Sequence, residues 1–178
     1  KISFLTIAVL FATGCHDLLD EPAQDTSFTE DTDYTNSNNM ILPLLGAYAE
    51  FYTRGWEDFP LIAVRGDDVN AGGLGDQQDY AETDKYNYNK DYWMYNSVWQ
   101  NIYNDMYVMH SAMEQIELYK ENGGNEAKAN QYIAEAKVLR GFLLFQLSRV
   151  WGNILVPESS DPTDFYVASI TSKDEVMR

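Results

Sequence analysis

Between Tyr80 and Tyr107 the chain concentrates seven tyrosines (Tyr80, Tyr86, Tyr88, Tyr92, Tyr95, Tyr103, Tyr107) and two tryptophans (Trp93, Trp99). A sugar ring presents C–H faces that stack on aromatic rings, and hydroxyls that need amide, carboxylate or guanidinium partners. The run Tyr92-Trp93-Met94-Tyr95-Asn96 offers both kinds of group just ahead of a helical pattern. Tyr92, Trp93, Tyr95 and Asn96, with Arg65, are therefore the candidate ligand-binding residues. The competing reading is that these rings anchor a long loop to the helices, since buried aromatics remove a large area from water. Trp99, Tyr103 and Tyr107 recur at helical spacing and are assigned to the core.

Other chemistry has less support. Asp68, Asn70 and Asp79 occupy the first, third and twelfth places of a segment that partly mimics a calcium loop. Gly72 stands at the fifth place and the twelfth is Asp rather than Glu, so a turn held by Asp and Asn side chains fits better and no metal is assigned. The single cysteine, Cys15, excludes an internal disulfide framework and any multi-cysteine metal site. The two histidines, His16 and His110, exclude a His-rich metal site. His110 is assigned a packing role. Arg140, on an apolar stretch with Glu135 five residues before it, calls for a carboxylate or a helix end as its partner. There is no Gly-x-Ser-x-Gly, no phosphate-binding glycine loop and no His-Glu-x-x-His. No catalytic residue and no cofactor are assigned, and the chain is read as a non-enzyme. Paired carboxylates for glycoside cleavage are a matter of separation in space, which a sequence this acidic leaves open.

The elements that must position these residues are helical. Apolar residues from Met40 to Phe51 have helical spacing, with Pro43 in the first turn or at a kink and Gly55 as a C-cap. A short apolar run, Phe59 to Val64, leads into a long loop from Asn70 to about Asn89. One long helix carries Trp99, Ile102, Tyr103, Met106, Met109, Met113 and Ile116. A second carries Ala129, Tyr132, Ile133, Ala136, Leu139, Leu143, Leu147 and Val150. Gly123-Gly124-Asn125 separates them, the glycines ending the first and Asn125 capping the second. Such a pair is an antiparallel hairpin whose apolar face needs further layers. The second helix is apolar on more than one side and is expected to lie sandwiched between layers.

Charge and the N-terminal segment bound the setting. The chain of 178 residues carries 28 Asp and Glu against 12 Lys and Arg, a net charge of −16. That balance opposes binding to a nucleic-acid backbone. Residues 1–14, with Lys1, an apolar stretch and small residues before Cys15, read as a secretory signal shorter than a membrane span. The placement of Cys15 resembles the lipobox of bacterial lipoproteins, in which the cysteine is lipidated. Residues 15–35 read as an acidic tether, and residues 36–178 as the N-terminal part of a helical domain. Ser172, followed by Asp174 and Glu175, reads as the start of another helix, so the chain is expected to belong to a longer protein.

Five motifs in series resemble one family. Cys15-His16-Asp17-Leu18-Leu19-Asp20-Glu21-Pro22 is similar to the mature start of SusD/RagB-like outer-membrane lipoproteins of Bacteroidetes. So are Gly66-Asp67-Asp68-Val69, Trp99-Gln100-Asn101-Ile102-Tyr103, and the run Ala134 to Leu147 followed by Arg149-Val150-Trp151-Gly152. Ser172-Lys173-Asp174-Glu175-Val176 matches the start of the family's next helix. The chain departs from the family pattern at His110, where Asn is frequent, and at Pro157, a late position for the proline after Gly152. The resemblance implies an all-α fold of tetratricopeptide-like helical hairpins with a loop-rich capping region. It implies a cell-surface, lipid-anchored outer-membrane protein that captures oligosaccharides and delivers them to a SusC-like TonB-dependent transporter. Binding of peptides or of a protein partner is the alternative, with a glycosidase the most distant.

Overall fold

A computed structural model describes residues 32–53, 58–72, 75, 78–167 and 169–178. Cys15, the signal segment, Gly55 and nearly all of the tether lie outside these residues. The chain divides into a unit of residues 1–33 and a unit of residues 34–178, and the architecture below is that of the second.

The fold is all-α. A 3₁₀ turn, Ser37–Ile41, runs into α1 (Leu42–Tyr52), with Pro43 in the first turn, where its missing N–H costs no helical hydrogen bond. α2 (Asp58–Ala63) and α3 (Gln78–Asp84) are short. α3 corrects the expectation of an unbroken loop from Asn70 to Asn89. Its seven residues are too few for a periodic signal, and it is held by Ala81 and Thr83, both buried. α4 (Trp93–Glu121) and α5 (Glu126–Trp151) form the antiparallel hairpin. Gly123, at φ +97°, takes the left-handed conformation that ends α4. Asn125 caps α5, its side-chain oxygen accepting from the Lys128 N–H at 3.0 Å. A Cβ on Gly124 would lie 2.7 Å from the Tyr119 carbonyl oxygen, so the linker approaches α4 too closely for any side chain there.

Beyond α5, β1 (Ile154–Leu155) and β2 (Ile170–Thr171) pair antiparallel, Ile154 opposite Thr171, with α6 (Pro162–Val167) between them. Two-residue strands leave no alternation to read in a sequence. Tyr103 ties this ribbon to α4: its hydroxyl donates to the Leu155 carbonyl at 2.9 Å and accepts from the Leu155 N–H at 3.0 Å. Burial pushes that phenol's pKa up to about 12, so it stays protonated and able to donate. α7 (Lys173–Val176) follows, capped by Ser172, whose hydroxyl accepts from the Glu175 N–H.

The core lies along the hairpin seam. Met94, Ile102, Met106 and Met109 of α4 meet Leu139, Leu143 and Leu147 of α5, with Ala47 of α1 and Leu61 of α2 closing over them. A second cluster, Met40, Leu44, Ile116, Tyr119, Ala129 and Ala136, packs at the linker end. Tyr103 is buried and Trp99 half-buried, its ring edge-on to Trp151 at 5.1 Å. Tyr107 is 46% exposed, against its assignment to the core. Successive steps of four drift about 40° each around a helix of 3.6 residues per turn, so two such steps carry Tyr107 off the face that holds Trp99. On the other side of α5, Val138, Phe142 and Phe145 are exposed, and no layer covers them among the described residues.

Candidate functional site

A groove of about 1240 Å³ lies open along the outer side of α5. α5 contributes Phe142, Gln146 and Arg149, which share one stripe because they sit four and three residues apart. α1 supplies Phe51 and Tyr52 from its last turn. The end of α2 and the turn after it supply Ile62, Ala63, Arg65, Gly66, Asp68 and Val69. Tyr86 and Lys173 stand at the rim.

The Phe51 and Phe142 rings meet edge-to-face at 5.4 Å and form an apolar floor. Around it Tyr52 is 88% exposed, Tyr86 63% and Phe142 44%, so three rings offer faces or edges to whatever enters. Tyr86 is held there at a cost. Its φ of +57° lies in the left-handed region, disfavoured for a bulky side chain. Its hydroxyl donates to the Arg65 carbonyl at 2.6 Å, and its ring sits edge-on to Tyr88 at 6.1 Å. The Arg65 guanidinium lies over the Tyr88 ring, 5.6 Å from its centroid. Gln146 places an amide oxygen that is shielded from water and takes no hydrogen bond among the described residues.

Of the five residues singled out in the sequence, Arg65 lines this groove. The other four gather at the head of α4. Tyr92 and Tyr95 are half-buried and stack at 6.3 Å with 14° between planes. The Tyr95 hydroxyl shares a 2.8 Å hydrogen bond with Thr83, and burial raises its pKa while that bond and the Arg65 charge pull it back. Trp93 is 57% exposed and Asn96 is exposed. Arg65 thus stands between the two clusters, lining the groove while its charge reaches Tyr95. Sequence reasoning missed Tyr52, Phe142, Gln146, Arg149 and Lys173. The signal available was the Phe142–Gln146–Arg149 stripe, off the seam on an otherwise apolar helix.

Asn70 accepts from the Gly72 N–H at 2.8 Å, an Asx turn, and Asp84 accepts from the Ala71 N–H. Asp68 is exposed. Asp79 lies in the first turn of α3, its carboxyl raised by burial. Among the described residues no three His, Cys, Asp or Glu side chains come close enough to hold a metal ion.

Arg140 corrects a partner assignment. Its Nε–H donates to His110 Nε2 at 3.0 Å and its Nη2 to the Pro157 carbonyl at 2.9 Å. Glu135 instead accepts from the Tyr48 hydroxyl and from Gln131. Five residues along a helix turn a side chain about 140° away, which separates Glu135 from Arg140. The same Nε2 lies 3.1 Å from the Pro157 carbonyl oxygen, and which of the two contacts it bonds depends on the tautomer of the ring. Burial and the Arg140 charge lower the imidazole pKa, while the Pro157 carbonyl, Glu114 and Asp164 raise it. The two departures from the family pattern, His110 and Pro157, thus meet at one arginine.

The groove of this helical framework is lined by aromatic rings and polar side chains. The chain belongs to the SusD-like family: residues 23–176 match the family described as "Starch-binding associating with outer membrane", a family of binding proteins. It is similar to a SusD-like protein of Bacteroides ovatus, 24% identical over 180 residues, a match that covers 97% of this chain. The chain spans about a third (31%) of that relative's length. No solved structure matches it. Among the described residues no helix is long and apolar enough to cross a membrane.

Proposed function

We propose that this protein is a non-catalytic, cell-surface glycan-binding lipoprotein. In this reading residues 1–14 are removed as a signal, Cys15 carries the lipid, and residues 15–35 tether the helical domain. The captured oligosaccharide passes to a SusC-like TonB-dependent transporter in the outer membrane. The observation that carries the reading is the convergence on one groove of three exposed rings, Tyr52, Tyr86 and Phe142, with the polar groups of Arg65, Asp68 and Gln146. Rings take the C–H faces of a sugar, and the polar groups take its hydroxyls.

Trp93, with Tyr92, Tyr95 and Asn96, is a second candidate contact surface, and one experiment separates the two. Oligosaccharide affinity is measured by calorimetry on full-length protein carrying Tyr86→Ala or Trp93→Ala. The groove reading expects a loss of about tenfold, or about 1.4 kcal/mol, for Tyr86→Ala and wild-type affinity for Trp93→Ala. The reverse pattern moves the site to the head of α4. Release of reducing sugar during the titration would overturn the non-catalytic reading.

A further inference from the structure

The charge of the groove runs against the charge of the chain. Overall, 28 acidic residues outnumber 12 basic ones. Among the described residues lining the groove the order inverts: Arg65, Arg149 and Lys173 face a single carboxylate, Asp68. None of the three cations has an ion-pair partner among the described residues. Two of them rest on rings instead, Arg65 over Tyr88 and Arg149 over Phe145, 5.2 Å from its centroid. In so acidic a protein, carboxylates to neutralise three cations are plentiful, yet among the described residues the groove leaves them unpaired. At physiological salt the screening length is about 8 Å, so an occupant of the groove feels these cations more than the acidic surface beyond.

We propose that the groove selects an anionic oligosaccharide, one carrying carboxylate or sulfate groups, over a neutral one. The proposal rests on the reading of this groove as the saccharide site. The rings stack on the sugar faces. The Arg65 and Arg149 guanidiniums, with their forked donors, hold the acidic substituents, and Lys173 adds a point charge at the rim. A net charge of −16 repels polyanions in general, so selective anion binding by this protein has to originate at a local site.

Calorimetry on the full-length protein tests this with three ligands of matched length: oligogalacturonate (carboxylate only), a carrageenan oligosaccharide (sulfate only) and maltooligosaccharide (neutral). At least one anionic ligand is expected to bind about tenfold or more tighter than the neutral one, with affinity that falls as salt rises. The stronger of the two anionic arms identifies the substituent. Arg65→Gln with Arg149→Gln is expected to remove that preference, read as the ratio of anionic to neutral affinity. Because Arg65 is half-buried and its loss can disturb the fold, Lys173→Gln, at an exposed position, provides the independent variant, with a severalfold loss confined to the anionic ligand. Equal or tighter binding of the neutral ligand, or an anionic preference unchanged in both variants, overturns the charge selectivity and leaves the glycan site standing. Failure of all three ligands to bind overturns both.

Discussion

The two sides of α5 carry similar residues in opposite surroundings. Toward α4, Ala136, Leu143 and Leu147 are at most 1% exposed, whereas Val138, Phe142 and Phe145 on the other side are 72%, 44% and 37% exposed. The arginines divide in the same way. Arg140 is committed to His110 and Pro157, while Arg149 lies exposed against a ring beside the groove. A hydrophobic side chain records that burial is favourable there, but it does not record what supplies the cover. On the seam the cover is the chain's own α4. Over the groove none of the described residues supplies it, and in the function proposed above a ligand does.

The sharpest way to break this comparison is to truncate one residue on each side. Leu147→Ala empties a site that is 0% exposed, and should cost about 2–5 kcal/mol of stability in urea denaturation. Phe142→Ala should cost roughly 1 kcal/mol or less, since much of that ring is already in water. Equal losses in the full-length protein would mean that Phe142 is covered there, and the two sides would no longer differ.

The arginine contrast gives a smaller, pH-dependent effect. His110 is depressed below its ordinary 6.5, chiefly by burial and then by the Arg140 charge, so the folded protein holds it neutral. Below pH 6.5 the unfolded chain takes up a proton that the folded chain refuses, and stability falls as pH falls through the folded value. Denaturation midpoints between about pH 7 and pH 5 should therefore fall more steeply in the wild type than in His110→Gln, whose amide oxygen still accepts from Arg140. The difference in slope is at most about 1.4 kcal/mol per pH unit, the limit for one proton. Identical slopes would show that His110 does not titrate differently in the two states.

The hairpin was legible because both long helices repeat apolar residues over many turns and are separated by a glycine pair and a capping Asn. The cap at Ser172 was legible for the same local reason. The groove was not. Tyr52, Tyr86, Phe142 and Lys173 belong to distant elements that become neighbours only when α1 and α2 pack beside α5, and no local spacing encodes that meeting. Arg140 illustrates the limit: its burial could be foreseen, but its partners, a histidine 30 residues away and a carbonyl 17 away, depend on the turn after α5. The ring cluster from Tyr92 to Asn96 was conspicuous in sequence for its density, and the fold ties Tyr95 to Thr83 while leaving Trp93 in solvent. Density of a residue type is a local property, whereas enclosure is not.

The gentlest test of the comparison is Gly141, which sits inside α5 beside Phe142 and is exposed. A glycine within a helix is less stable than alanine by about 0.5–1 kcal/mol, because the unfolded chain gains more backbone freedom from it. A Cβ built at Gly141 meets no atom within 4 Å, unlike one at Gly124, where the Tyr119 carbonyl stands at 2.7 Å. Gly141→Ala should therefore raise stability by about 0.5–1 kcal/mol in the full-length protein, read as a higher urea midpoint. The sign carries the information. Propensity alone can only raise stability here, so a loss requires an atom packed against Gly141 that the described residues do not supply. That outcome would mean a further layer lies on this side of α5, and the groove would be narrower than the hairpin alone makes it.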